Sequence, residues 1–406
     1  MKVFFHTFGC RANQYDTELV RQAFADQGVV VVEDPAAADL AVVNSCTVTH
    51  ESEAKLRRFV GRLARGARLE TVVMGCAAAL DDGAIAGLPS VRAVVGGADP
   101  VAVLAAAGLP GTRVDRTLRR FGAHARGWLR IQDGCDEHCT FCATTLARGA
   151  NRSRPVAELV REAQQLAEHH AEIVITGIHI GTYGRDGGRG TGDGSFLGEL
   201  MEALIDAVPQ VRFRLSSIEA TEVDDRLAQL MIEAPRQLAP HLHAPLQSGS
   251  NRVLKRMGRH WYTTESYRAR LEWLGSRLPV FGLGADVIAG FPGETDADHR
   301  ATVDLIDALP FTYLHVFPYS ARPGAAATRL GALVPPAVIR ERAAELRTLG
   351  EARAEAHRAR RAGGPADGVA SGRLGGKLDV LTEDYISVHV PIEQWDGRPR
   401  FPVTVA

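Results

Sequence analysis

Two successive series of short, apolar, β-branched runs dominate the 406-residue chain, and most runs lead into a segment with helical apolar spacing. That alternation restricts the chain to open or curled parallel sheets covered by helices. In the first series the strands are Lys2–Thr7, Val29–Glu33, Leu40–Ser45, Thr71–Gly75 and Val91–Gly96, with helices over Thr17–Gln27 and Glu51–Arg65. It predicts a sheet in the order 2-1-3-4-5 with helices on both faces. The second series begins at Trp128. Its strands are expected over Trp128–Gln132, Glu172–Gly177, Arg212–Ser217, His241–Gln247, Leu283–Gly290 and Tyr313–Tyr319. Helices are expected over Val156–His169, Leu197–Ala207, Thr221–Glu233, Thr264–Ser276 and Asp296–Ala308. Six β/α units predict a partial (β/α)6 barrel rather than a closed eightfold one.

The six cysteines divide evenly between the two series. Cys135, Cys139 and Cys142 have the spacing C-x3-C-x2-C in one loop, directly after the first strand of the second series. That is the rim where parallel barrels place chemistry. A cubane iron–sulfur cluster has four irons, so three thiolates leave one iron open to an exogenous ligand. Structural zinc is the alternative, with His138 completing four ligands. Disulfides would suit a secreted chain, but nothing here reads as a signal peptide, and no run is long and apolar enough to span a membrane. Cys10, Cys46 and Cys76 each follow the end of a strand: the first, the third and the fourth. In the order above those strands are neighbours, spaced about 4.8 Å apart. Their sulfurs then converge at one sheet edge, which is where such sheets bind ligands. The alternative is three scattered core thiols; the convergence favours a second cluster with an open iron.

Composition adds bounds. At 45% hydrophobic and 23% charged, the chain is that of an ordinary soluble protein of two or three domains. The formal net charge of −1 gives no global basic excess for a nucleic-acid partner and leaves local patches to do that work. The densest patch follows the break at Pro110-Gly111, where Gly111–Arg130 carries Arg113, Arg116, Arg119, Arg120, Arg126 and Arg130 against Asp115. It reads either as a solvated interdomain stretch or as a phosphate-binding surface. The glycine-rich run Gly184–Gly194 lacks the strand–glycine–helix context of a dinucleotide site and reads as a flexible loop. His241 and His243 share one strand face and read as interior residues rather than ligands. Ile339–Arg361 is a charged helix ended by Gly363-Gly364-Pro365, followed by strands over Tyr385–Val390 and Phe401–Val405 with a turn at Asp396-Gly397.

The cysteine loop after a first barrel strand, with Phe141 between its last two cysteines, is similar to the radical S-adenosylmethionine (SAM) superfamily. Further motifs resemble the methylthiotransferases within it: Thr7-Phe8-Gly9-Cys10-Arg11-Ala12-Asn13-Gln14-Tyr15, Asn44-Ser45-Cys46-Thr47-Val48-Thr49 and Ile131-Gln132-Asp133-Gly134-Cys135. Thr176-Gly177-Ile178-His179-Ile180-Gly181, Pro245-Leu246-Gln247-Ser248-Gly249-Ser250 and Asp286–Thr295 continue the match along nearly the whole chain. Cys46-Thr47-Val48-Thr49 and Thr176-Gly177-Ile178-His179 look most like the threonylcarbamoyladenosine branch. One departure stands out: Ala143-Thr144-Thr145-Leu146 precede Ala147-Arg148-Gly149 where the family usually has a proline, which puts the local loop shape in question.

The resemblance implies a flavodoxin-like N-terminal domain (residues 1–112), a radical SAM barrel (113–350) and a short TRAM-like β-barrel (351–406) that helps hold RNA or only caps the barrel. It implies two 4Fe–4S clusters, one on Cys135, Cys139 and Cys142 that cleaves SAM, and one on Cys10, Cys46 and Cys76 that handles sulfur. SAM contacts are expected from Phe141, Thr176, Gly177, Ser217, Gln247 and Ile288, whose alternative role is barrel packing. The implied reaction adds a methylthio group to C2 of N6-threonylcarbamoyladenosine beside the tRNA anticodon. Isopentenyladenosine in tRNA, a ribosomal-protein side chain, and a non-enzymatic iron–sulfur RNA-binding protein are the alternatives. A cytoplasmic location and a reductant such as flavodoxin or ferredoxin are expected, with no membrane partner.

Overall fold

In the computed structural model, residues 1–47, 50–67, 69–109, 114–122, 124–186 and 196–405 are described. Val48 and Thr49, the Pro110-Gly111 break, Arg113 and most of the glycine-rich run after Asp186 lie outside the described residues.

Strands β1 (Lys2–Thr7), β2 (Val30–Val32), β3 (Leu40–Ser45), β4 (Glu70–Gly75) and β5 (Val91–Gly96) form one parallel sheet in the order β2-β1-β3-β4-β5, as read from the sequence. Strand β3 is buried throughout and β4 nearly so, because helices cover both faces of the sheet centre. One face packs Val3, Phe5, Phe24 and Leu104; the other packs Phe4, Leu56, Val60 and Val73. The helix expected at Thr17 begins at Arg11 instead. Its first turns bury Asn13 and Asp16 beside Ala12 and Tyr15, and those inward-facing polar residues break the apolar periodicity that would have marked the start. The charged helix runs over His50–Arg62 and ends in a wider turn over Leu63–Ala67.

After β6 (Arg126–Arg130), a short antiparallel ladder pairs β7 (Gln132–Asp133) with β8 (Arg152–Ser153). Then come β9 (Glu172–Thr176), β10 (Arg212–Leu215), β11 (His241–His243), β12 (Gly282–Ala289) and β13 (Tyr313–Pro318). Parallel ladders join β6, β9 and β10, and β11, β12 and β13; single bridges at Phe213–Leu238 and Ser217–His243 connect the two groups. The six-stranded partial barrel is therefore present, with β6 and β13 at its open edges. Strand β11 is shorter than expected: regular pairing with β12 ends at His243, and contact continues irregularly to a single bridge at Gln247–Val287, where Gln247 has φ +62°. The helix expected from Thr221 starts at Asp225, capped by Asp224. A helix at Asn251–Arg256 was not anticipated; six residues are too few to show periodicity.

A long helix over Pro336–Arg361 leads to β14 (Pro365–Leu374), β15 (Lys377–Leu381), β16 (Ser387–Pro391) and β17 (Arg400–Thr404), an antiparallel sheet in the order β16-β15-β14-β17. This curled sheet is a half-barrel where a small barrel was expected. It seats on the barrel floor: Arg212 donates to the carbonyls of Asp367 and Leu381, and Arg214 to those of Thr382 and Glu383. Both guanidinium groups are fully buried and meet the carboxylate of Glu172, which Arg126 also contacts. Among the described residues no helix is long and apolar enough to cross a membrane.

Candidate metal centres and active site

The loop carrying Cys135, Cys139 and Cys142 is pinned by main-chain bonds. The Cys135 N–H donates to the Gly149 carbonyl (3.0 Å), the Thr140 N–H to Met257 (2.8 Å), and the Ala327 N–H to Thr140 (2.7 Å). Gly134 has φ +72°, and a Cβ there would lie 1.9 Å from the Ala150 carbonyl oxygen, so only glycine admits this entry to the loop. A short helix over Thr144–Arg148 follows the loop. Burial pushes the Cys139 thiol up to about 12, and the other two loop cysteines add to the rise while Arg259 opposes it. His138 is exposed. Among the described residues these sulfurs and His138 form no set with all ligand atoms within 4.8 Å. One tetrahedral zinc, with Zn–S bonds of about 2.3 Å, needs a tighter set. The wider spread suits a cubane.

Two cationic side chains face these sulfurs. His179 Nδ1 lies 3.6 Å from Cys135 Sγ while its Nε2 meets the Glu222 carboxylate at 2.9 Å. Burial disfavours charge on His179, but the contacts with Cys135 and Glu222 outweigh it and bring the imidazole to about 10. Arg259 approaches Cys139 Sγ (3.6 Å) and is paired with Glu219.

The second cysteine set is assembled by tight turns at the strand ends. Gly9 has φ +109°, and a Cβ there would lie 2.8 Å from the Cys46 Cβ and 3.0 Å from its sulfur. Gly75 has φ +97° and faces the Asn44 side chain just before Cys76 opens a helix. Asn13 ties the set together: its Oδ1 lies 3.7 Å from both Cys10 Sγ and Cys76 Sγ, and its Nδ2 donates to the Phe8 and Ser45 carbonyls. Burial pushes the Cys76 thiol up to about 11; Arg148 opposes, and Cys10 and Cys46 add to the rise. The three cysteines thus lie together around Asn13 and Gly9 at one sheet edge. Arg148, at the end of the helix after the first cysteine loop, reaches across with Nε 3.2 Å from Cys76 Sγ. Its terminal nitrogens bond Asn13 (2.8 Å), Asp16 (2.8 Å) and Asp133 (2.9 Å). One side chain thus links both cysteine sets.

A cavity of about 250 Å³ beside the first set is lined by Phe141, Gln247, Asp286, Ile288, Phe317, Tyr319 and Arg322 among others. It gathers three of the six expected SAM contacts. Thr176 is buried at the end of β9, Gly177 lies against Gln132, and Ser217 is exposed in register with His243; none of these three lines the cavity. A wider cleft of about 860 Å³ separates the barrel floor from the C-terminal sheet and is lined by no cysteine.

Inside the barrel a polar chain runs from His241 Nε2 to the Tyr313 hydroxyl (2.9 Å), on to His243 Nδ1 (3.0 Å), and from His243 Nε2 to Asp286 (2.9 Å). His315 Nδ1 reaches the same carboxylate at 3.3 Å. Burial disfavours charge on Asp286, but hydrogen bonds from His243 and His315 hold it well below the usual carboxylate range. Both β11 histidines are interior, as expected. Below them Tyr385 stacks on His241 with ring centres 4.5 Å apart, and Arg11 donates to its hydroxyl (3.0 Å). In the arginine-rich stretch Arg116, Arg119 and Arg120 are exposed, and several of its side chains have acidic partners. Arg116 pairs with Asp99, Arg119 with Asp26, Arg126 with Glu172 and Arg130 with Asp16. The pairs of Arg116, Arg119 and Arg130 reach the N-terminal domain, whereas Arg126–Glu172 lies within the barrel.

The motifs contained Asn13, Arg148, His179 and Asp286, yet their roles were not assigned, because each depends on partners distant in sequence. Arg259 and His315 carried no signal beyond their residue type.

Comparison with known proteins agrees with this architecture. Residues 2–96 match the model of the uncharacterized protein family UPF0004, and residues 129–306 that of the radical SAM superfamily. A relative from Thermotoga maritima named threonylcarbamoyladenosine tRNA methylthiotransferase MtaB is 37% identical over 356 residues, covering 83% of this chain and 79% of its own length. A Bacillus subtilis relative of the same name is 38% identical over 347 residues, covering 81% and 75%. Among solved structures, the radical SAM methyltransferase TsrM from Kitasatospora setae, with cobalamin and a [4Fe-4S] cluster bound, superposes with a TM-score of 0.60 at 15% identity. That match covers 80% of this chain and 76% of TsrM and is a likeness of fold.

Proposed function

The chain belongs to the radical SAM methylthiotransferases, of the type acting on threonylcarbamoyladenosine in tRNA, and from that premise we propose how its residues divide the work. It is an enzyme that adds a methylthio group to C2 of N6-threonylcarbamoyladenosine next to the anticodon, with SAM and 4Fe–4S clusters as cofactors. Cys135, Cys139 and Cys142 hold one cluster and Cys10, Cys46 and Cys76 the other. The observation that carries this assignment is the pair of three-sulfur sets joined through Arg148 and Asn13. All six cysteines are then used, three to a cluster, so each cluster keeps an open iron. When bound, these groups supply the electron, the SAM-derived radical and the site where sulfur is held.

The protein's own part is orientation and charge. His179 and Arg259 aim N–H groups at ligand sulfurs, and such bonds are one lever on a cluster's reduction potential. Phe141, Gln247 and Ile288 face SAM in the cavity beside the loop, with Thr176, Gly177 and Ser217 on the neighbouring strand ends. Asn13 and Arg148 fix the distance between the two sets. Residues 1–112, 113–350 and 351–406 act as the sulfur-handling domain, the radical domain and a cap that contributes to holding RNA. A reduced protein such as flavodoxin or ferredoxin supplies the electron, and a tRNA substrate makes the cytoplasm the site of action.

Mass spectrometry of tRNA nucleosides from a deletion strain tests the reading. The methylthio form of threonylcarbamoyladenosine should vanish and return with the wild-type gene but not with Cys76→Ser. Loss of a methylthiolated isopentenyladenosine instead, or no change in either nucleoside, would overturn it. Reconstituted protein should carry about eight irons per chain.

A further inference from the structure

Strand β13 is one open edge of the partial barrel. Alternation places Tyr313, His315 and Phe317 on one face of it. Tyr313 stacks against His241 and His243, which identifies that face as the barrel interior, while Leu314 points the other way onto Gly350 of the long helix. Interior positions of small barrels are normally filled by side chains packed from every strand. Here the His315 side chain is 55% exposed and Phe317 is 39% exposed. The interior therefore opens to water along β13, and these two side chains look out through the gap. Phe317 lines the same cavity as Phe141 and Gln247, with the Asp286 carboxylate in its wall. His243 and His315 share that carboxylate and keep it ionised and fixed in orientation.

An aromatic face set beside a fixed hydrogen-bond acceptor, at the mouth of a pocket holding the reactive chemistry, suits a flat heterocycle with an N–H on its edge. Enzymes that act on a base within folded nucleic acid extrude it into such a pocket, stacking it on apolar side chains and reading its edge by hydrogen bonds. We propose that Phe317, Asp286 and His315 form the seat of the target adenine: the purine stacks on Phe317 and its N6–H donates to Asp286, which His243 and His315 hold in place. This rests on the tRNA methylthiotransferase reading above and specifies where its substrate base sits. The same His–Asp–His group has ligand atoms close enough to hold a metal ion. Its contacts at 2.9 and 3.3 Å are hydrogen bonds that both fall on Oδ1 of the carboxylate, which favours a positioning device.

The test uses reconstituted holoenzyme under anaerobic conditions. Its affinity is measured for two anticodon stem-loops, one bearing N6-threonylcarbamoyladenosine and one abasic at that position. Wild-type protein should prefer the base-bearing loop. Phe317→Ala should reduce that preference about tenfold, in line with base–aromatic stacking, while leaving the abasic loop's affinity unchanged. Asp286→Asn should narrow it as well. Should Phe317→Ala lose its clusters, Phe317→Leu keeps the bulk, lacks the aromatic face, and should still narrow the preference. A wild-type preference retained in full by the Phe317 variants overturns the inference alone. Wild-type protein that binds neither loop overturns the family-based reading and this inference with it. A stoichiometric metal beyond the cluster iron, lost in His315→Ala, overturns it in favour of a metal site.

Discussion

At Arg148 one guanidinium meets a sulfur, an amide oxygen and two carboxylates, and its side chain is only 8% exposed. Replacing it with Met leaves Asp16 relying on Arg130, and Asp133 on Arg130 and Arg152, and removes the donor facing Cys76. Breaking a buried pair in this way costs about 3–5 kcal/mol. The denaturation midpoint of Arg148→Met should fall accordingly, and its iron content should drop from about eight to about four per chain as the second set loosens. Gly134→Ala should do the reverse, sparing the second set and losing about four irons from the first. The Ala150 carbonyl occupies the space the methyl group needs. Iron and sulfide analysis with cysteine-set double variants distinguishes the two losses. The six cysteines were legible in sequence because ligand chemistry is written in residue type and spacing. The partners were not: Arg148 and Asn13 are 135 positions apart, and only the fold makes them neighbours.

Among the secondary elements, the helix Val156–Ala167 is followed by His170, which fastens the interdomain stretch. Its Nε2 accepts the Phe121 N–H at 2.9 Å and its Nδ1 contacts the His124 carbonyl at 2.8 Å, an arrangement that requires neutral imidazole. Burial pushes its pKa down to about 4, despite the opposing bond to His124. A histidine held neutral contributes stability that is complete above the unfolded value near 6.5 and is lost as pH falls through about 4. The unfolding free energy should therefore decline by about 3 kcal/mol between pH 6.5 and 4. His170→Gln should flatten that part of the pH profile. Element existence was readable wherever an apolar face has no other duty, as in β3 or the helix Leu197–Ala207. Boundaries slipped where polar residues face inward for function, as at Asn13 and Asp16. The arginines before β6 gave no sign in sequence of which acids they meet, since those lie on other elements.

Across the whole molecule, Glu172 is the point where the barrel floor and the C-terminal sheet are joined. Burial opposes its charge, but Arg214, Arg212 and Arg126 outweigh that and hold the carboxyl well below the usual range. Glu172→Gln leaves the buried Arg214 guanidinium without its carboxylate partner and should cost about 3–5 kcal/mol, read as a lower midpoint in denaturant. The C-terminal sheet should loosen with it, detectable as faster amide exchange in β14 and β15. Domain content was visible in the alternation of strands and helices, but docking was not, because the contacts on Arg212 and Arg214 are main-chain carbonyls that no residue type announces. Tyr385 has a consequence of another kind. Its ring lies against β11 and β13 from below, and Arg11 of the N-terminal domain reaches its hydroxyl. During synthesis every barrel strand leaves the ribosome before Tyr385 does. Until then the floor of the nascent barrel stays open, with Arg212 and Arg214 meeting water in place of the carbonyls that later cover them.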